Sequence, residues 1–281
     1  LFLWSVYYRG RKKCKKKRGE RVMLRGKVCV ITGGALGIGR CLTREFSKAG
    51  ARVAFVDINN QAGKENEEYI KRNGGQVIFF HGDISEEKTL KEFADLVIKQ
   101  YGKVDCLINN ACVNRGGILD PCSYDDFNYV LRLGITAPYM LAQLFLPYFS
   151  EQACIVNISS SRAFMSQPNT ESYTAAKGGI AALTHALAVS LAGKVRVNSI
   201  APGWIDTGEY YAEDYMPQHS EADIMQHPSK RIGDPMDIAR AVMFLCDERN
   251  SFINGENITI DGGMTKLMIY TGDYGWEYRP K

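Results

Sequence analysis

Residues 27–57 read KVCVITGGALGIGRCLTREFSKAGARVAFVD, and this stretch decides the fold. Lys27 to Ile31 is a compact apolar run that reads as a buried strand, and TGGALGIG (Thr32 to Gly39) follows it as a glycine turn. Leu42, Phe46 and Ala49 then recur at helical spacing until Gly50 stops the pattern. Arg52 to Val56 supplies a second strand, with Asp57 at its end, 24 residues after Gly33. Strand, glycine turn, helix and acid-ended strand form the pattern of a dinucleotide-binding unit.

Gly33, Gly37 and Gly39 let the backbone turn tightly and come close to a pyrophosphate, whose charge is met by the N–H groups and dipole of the new helix. A carboxylate at Asp57 accepts from both ribose hydroxyls and repels a 2′-phosphate, so the expected cofactor is NAD rather than NADP. Leu36 puts no cation into the turn, which agrees; Arg40 and Arg52 read as solvated charges. Apolar strands near residues 27, 52, 77, 104, 154, 195 and 257 alternate with helical segments. With right-handed crossovers they predict an α/β protein, a Rossmann-type doubly wound parallel sheet with helices on both faces.

The chemistry is expected in Ile155 to Lys177, IVNISSSRAFMSQPNTESYTAAK. It opens as a buried strand, breaks at Pro168 and Asn169, and ends in a helix on which Tyr173 and Lys177, four apart, share a face. A phenol in water keeps its proton to about pH 10. As a base near neutrality Tyr173 needs a positive charge beside it, and Lys177 is placed to supply one. Ser160, at the end of the strand, is placed to hold a substrate oxygen while Tyr173 exchanges the proton.

These motifs, taken in order over about Leu24 to Met264, resemble the short single-domain branch of the short-chain dehydrogenase/reductase family. The T-G-x-x-x-G-x-G motif is Thr32 to Gly39, the adenine-contacting acid is Asp83 followed by Ile84, and the N-N-A turn is Asn109, Asn110 and Ala111. Ser160, Tyr173 and Lys177 match the catalytic set, and Pro202, Gly203 and Thr207 match P-G-x-x-x-T, with Ile205 expected against the carboxamide. The resemblance also implies cofactor contacts at Leu36, Ile38 and Ile58, and seven strands in the order 3-2-1-4-5-6-7. It implies hydride transfer between NAD(H) and a secondary alcohol or ketone. The alternatives are an NADPH-dependent ketoacyl reductase, for which cations near Leu36 or Asp57 are missing, and a non-catalytic NAD(H)-responsive binding protein.

One position departs from the family pattern. A helix before the serine strand usually carries an Asn that completes a catalytic tetrad, and VLRLGITAPYM puts Gly134 in its place. The family Asn steadies a helix kink while its main-chain carbonyl holds a relay water; Gly134 keeps the carbonyl and tolerates a kink, so lowered turnover is expected rather than none.

Substrate is expected between Cys112 to Gly117, the loop after Ser160 and the segment from Trp204 to Lys230. Arg115 and Arg162 are the candidates for an anionic group. Phe164, Trp204, Tyr210, Tyr211, Tyr215 and Met216 are the candidates for enclosing an apolar body.

The chain has 281 residues, 45% hydrophobic and 23% charged, which suits one large α/β domain over 23–281. Residues 1–22 hold nine Lys or Arg against Glu20, a net +8; with +4 for the whole chain, the remainder carries −4. The domain is therefore mildly acidic and shows no basic face for nucleic acid. The apolar run Leu1 to Tyr8 is too short to cross a bilayer and precedes the charges, the reverse of a secretory signal, so no membrane partner is expected. Purine-only codons encode Lys, Arg, Gly and Glu, and KKKRGERVM reads as a translated bacterial ribosome-binding tract with Met23 as the start.

The eight cysteines are scattered without C-x-x-C, which points to reduced buried thiols and a cytoplasmic protein. The four histidines show no metal-ligand spacing, so no metal is expected. The aromatic tail 264–281 is expected to pack on a neighbouring subunit. The resemblance implies a homodimer or homotetramer, with helices near Tyr124 to Tyr148 and Ser172 to Leu191 pairing across a two-fold.

Overall fold

Continuous apolar runs such as VCVI and VAFV suit strands covered on both faces, since a parallel sheet buries each side under helices. The computed structural model describes residues 24–212 and 214–270, together with 272, 273 and 277. The basic head, Met23 and most of the aromatic end of the tail lie outside the described residues. The strands are β1 (Val28–Thr32), β2 (Arg52–Asp57), β3 (Gln76–His81), β4 (Val104–Asn109), β5 (Phe149–Ile158), β6 (Val195–Pro202) and β7 (Asn257–Ile260). They form one sheet in the order β3-β2-β1-β4-β5-β6-β7, every neighbouring pair parallel. This is the order the family resemblance implied.

The helices are α1 (Gly37–Lys48), α2 (Asn60–Arg72), α3 (Glu87–Tyr101), α4 (Tyr124–Leu131), α5 (Ala137–Phe145), α6 (Glu171–Ser190), α7 (Glu221–Met225) and α8 (Pro235–Cys246). Alternate residues of each strand serve opposite cores. Cys29 and Ile31 face α1, α2 and α8 through Phe46, Ile70 and Val242, whereas Val28 and Val30 face α3, α5 and α6 through Phe93, Leu141 and Leu187. The crossover from β1 runs to β2 on one side, and β4 pairs on its other side. That reversal opens a crevice beyond the carboxyl ends of β1 and β4.

The segment expected as one long helix is broken. Between α4 and α5, Arg132–Thr136 forms a π turn in which the Ala137 N–H donates to the Arg132 carbonyl. Gly134 lies inside this turn and packs closely there: a Cβ on it would stand 2.8 Å from Cβ of Ala176 on α6 and 3.4 Å from Sγ of Cys112. The stretch Tyr124–Tyr148, 25 residues containing an 18-residue window of mean hydropathy 1.3, is long and apolar enough to cross a membrane, but its Leu133, Ala137, Leu141 and Phe145 fill the core against the sheet.

Cys29, Cys41, Cys106, Cys154 and Cys246 are buried free thiols. Register brings Cys29, Cys106 and Cys154 side by side on β1, β4 and β5. The Sγ atoms of Cys106, Cys154 and Cys246 lie within 4.8 Å of one another, a grouping that sequence spacing does not announce.

Candidate active site

The end of β1 is tied to the end of β4 by Thr32, whose Oγ1 accepts the backbone N–H groups of Asn110 (3.0 Å) and Ala111 (3.1 Å). The side-chain amide of Asn110 donates in turn to the carbonyls of Thr32 (3.0 Å) and Gly33 (3.1 Å), so this residue braces the glycine turn as well as lining the crevice. Gly39, expected at the cofactor, is not part of the crevice wall. It sits beneath the turn, where a Cβ would come within 1.8 Å of the Gly33 carbonyl oxygen, and so lets α1 start directly under that turn.

The crevice is a groove of about 530 Å³. Gly33, Leu36, Gly37 and Ile38 line it from the turn, and Asp57 and Ile58 from the end of β2. Asp83 and Ile84 follow β3, and Asn110 and Ala111 follow β4. Tyr173 and Lys177 reach it from α6, and Pro202, Gly203, Ile205 and Thr207 close it beyond β6. The Asp57 carboxylate accepts from the N–H of Ala35 and of Asn59, both at 2.9 Å. A carboxylate has about four acceptor sites, so capacity remains for a ribose. Arg40 is not a simple solvated charge: its guanidinium donates to the carbonyls of Ala35 and Ala62. Arg52 likewise packs on the Tyr101 ring and donates to the Gly26 carbonyl.

Asp83 is held by a partner that sequence reasoning missed. The Tyr129 hydroxyl donates to its carboxylate at 3.0 Å, and burial, with that carboxylate beside it, pushes the Tyr129 phenol up, so Tyr129 stays a donor. Arg115 stacks over Tyr129 at 4.2 Å and pairs with Asp126 at 2.8 Å. Arg115 is thereby turned to bracing α4 and does not line the substrate space in which it was expected.

Ser160, Tyr173 and Lys177 come together where β5 and α6 meet the groove. Ser160 Oγ accepts the Arg162 N–H at 3.2 Å, which leaves its own hydrogen available to donate. Lys177 is 4% exposed; its Nζ donates to the Ile158 carbonyl at 2.7 Å and lies 5.3 Å from the centre of the Tyr173 ring. The Ser159 hydroxyl fixes the same turn of α6 by donating to the Lys177 carbonyl at 2.9 Å.

Ser160, Tyr173, Gly203 and Ile205 also line a second cavity, of about 800 Å³. Arg162 and Trp204 stand in its wall as expected, but the other aromatic candidates do not. Tyr211 lies over Gly37 in the first groove, and Tyr210 packs towards α1 and Cys41. Tyr215 donates to Asp206 at 2.8 Å, next to His219, and Phe164 and Met216 are exposed outside the wall. Met264, Leu267 and Ile269, from the start of the tail expected on a neighbouring subunit, also line this cavity.

The family model described as enoyl-(acyl carrier protein) reductase matches residues 33–265. An uncharacterized oxidoreductase of Thermotoga maritima is 41% identical over 258 residues, 88% of this chain and 99% of that protein. The apo form of an SCOR enzyme from Clostridium thermocellum superposes with a TM-score of 0.82 at 41% identity, covering 92% of this chain and 99% of that one. A 7α-hydroxysteroid dehydrogenase solved with NADH and 7-oxo glycochenodeoxycholic acid gives 0.78 at 34% identity, covering 86% and 96%.

Proposed function

Because the chain belongs to the short-chain dehydrogenase/reductase family, and is thus an oxidoreductase, we propose that it moves a hydride between NAD(H) and a secondary alcohol or ketone. The observation that carries this reading is the position of Ser160 and Tyr173 at a seam shared by a dinucleotide-sized groove and a second cavity, with Lys177 beside them in the groove. The residues present fit the cofactor: glycine N–H groups at the start of α1 suit a pyrophosphate, and Asp57 suits an unphosphorylated ribose. When bound, the nicotinamide supplies the hydride acceptor or donor.

In the direction of oxidation, Ser160 would donate to the substrate oxygen and hold the carbinol in place. Tyr173 would take the hydroxyl proton, while a bound nicotinamide would supply the acceptor for the hydride from the carbinol carbon, so that the alcohol gives up one hydride and one proton and becomes the ketone. Lys177, with one N–H on the Ile158 carbonyl, keeps two for the ribose and the phenol oxygen. A cytoplasmic, homo-oligomeric enzyme completes the reading. Titration with NAD and NADP, followed by an alcohol panel watched at the nicotinamide absorbance, tests it. Tyr173→Phe is expected to bind cofactor and lose nearly all turnover. Cofactor binding by the native chain with no turnover of any alcohol or ketone would favour a binding protein instead.

A further inference from the structure

The second cavity differs from its neighbour in what its walls ask of a ligand. Its volume of about 800 Å³ lies near the top of the range that encloses drug-sized molecules. One wall is apolar and unfilled: Met165, Trp204 and Ile269 are 46%, 39% and 45% exposed, and Ile205 and Leu267 continue the surface between them. Such uncovered apolar area inside a concavity is what an apolar body covers. Along the loop after Ser160 the wall is polar, with Ser166 and Gln167 beside Arg162, and Gln226 stands in it from beyond α7.

Charge decides the rest. Arg162 is the one charged residue lining this cavity among the described residues, and no Asp or Glu lines it. Its guanidinium donates to the neutral side-chain oxygen of Gln167, a contact that leaves the positive charge uncancelled. A half-buried guanidinium with spare N–H groups, in a cavity without a carboxylate, is complementary to an anion.

We propose that the substrate is a bulky amphipathic secondary alcohol or ketone, whose apolar body lies on Trp204, Ile205, Leu267 and Ile269 and whose anionic group meets Arg162, with the reacting oxygen at Ser160 and Tyr173. This rests on the dehydrogenase reading above and narrows it.

The test uses the full chain with saturating NAD+ and four alcohols below their micellar range: cyclohexanol, cholate, methyl cholate and 12-hydroxyoctadecanoate. At least one of the two acids is expected to exceed cyclohexanol in kcat/KM by about a hundredfold or more, from the extra apolar contact. Arg162→Gln is expected to lower the cholate to methyl cholate ratio of kcat/KM about tenfold, through KM rather than kcat. Binding of cholate to the NADH complex is expected to quench Trp204 fluorescence, with Trp204→Phe as the control, a readout independent of turnover. Cyclohexanol turned over as well as the acids would overturn the inference and leave the dehydrogenase reading standing. An equal loss for acid and ester in Arg162→Gln would overturn the anionic group alone. No turnover of any of the four, with NAD+ still bound, would overturn the inference, and the dehydrogenase reading falls with it only if the broad alcohol and ketone panel is also left unturned.

Discussion

Asp57 carries the cofactor choice, and the way it is held makes the choice firm. Two backbone N–H groups, from Ala35 and Asn59, fix its carboxylate at the groove, so it cannot swing aside for a 2′-phosphate without giving up both. NAD(H) is therefore expected to bind at least about tenfold more tightly than NADP(H), or ~1.4 kcal/mol, by titration of cofactor fluorescence. Asp57→Ala should narrow that gap and also cost about 1–3 kcal/mol of stability, because it strips two N–H groups of their acceptor. Equal affinities in the native chain would show that Arg40, anchored to the neighbouring Ala35 and Ala62 carbonyls, outweighs the acid. Lys177 has a similar double role. Lys177→Ala is expected to weaken cofactor binding and turnover together, and to lower the melting temperature, since the buried Ile158 carbonyl loses its 2.7 Å donor.

Between elements, the contact that matters most is the π turn against α6. Gly134 approaches Ala176 so closely that a Cβ would lie 2.8 Å from the alanine methyl, one residue from Lys177. Gly134→Asn, which restores the family residue, is therefore expected to overpack this seam, costing about 1–3 kcal/mol and lowering turnover by displacing the turn that carries Tyr173 and Lys177. Adding Ala176→Gly should recover most of the turnover. A gain of several hundredfold from Gly134→Asn alone would instead mean that the natural chain lacks a group its chemistry needs. The π turn was only partly legible in the sequence, which marked Gly134 as a position that tolerates a kink but not its packing against Ala176 on another helix, whereas the glycine turn was legible because its motif lies within Thr32 to Gly39. A second element-scale prediction concerns the start of α8. Asp237 and Asp234 form a capping box, and Arg231 grips Asp237 with two bonds of 2.6 and 2.7 Å. The Arg231 guanidinium holds the Asp237 carboxyl below the usual carboxylate range. A lowered folded value gives stability that is present above pH 4 or so and is lost as pH falls through the folded value. Asp237→Asn should then cost about 1 kcal/mol at pH 7, a few degrees of melting temperature, and the difference from the native chain should shrink towards pH 2.

At the scale of the whole molecule, the alternation of strands and helices follows from local patterns that sequence reveals, such as the apolar run of β1, whereas the strand order is what the family resemblance implies. What joins distant segments was less legible. Nothing in the spacing of Tyr129 and Asp83 announces their hydrogen bond, and nothing in the tail announces that Leu267 and Ile269 wall a cavity beside Tyr173. The sheet also leaves an unfinished side. All eight residues of β6 are buried, whereas the four of β7, which among the described residues pairs only with β6, are half-buried, and Phe252 just before it is fully exposed. Across the molecule Tyr139 on α5 and Val189 on α6 hold large apolar side chains to solvent at 46% and 76% exposure. Single exposed apolar residues are ordinary, but an edge strand beside an exposed Phe is a liability unless covered, and a second copy of the chain is the self-complementary cover. The native protein is therefore expected to run as a dimer or tetramer in light scattering coupled to size exclusion. Tyr139→Glu with Val189→Glu should disrupt a helix-mediated pair, and Phe252→Glu a contact at β7; in a tetramer each change should halve the assembly, and in a dimer one of the two should, while NAD binding persists, because none of the three positions lines the groove. A native chain that elutes as a monomer at micromolar concentration would refute the assembly, and loss of NAD binding on dissociation would show that the groove needs its neighbour.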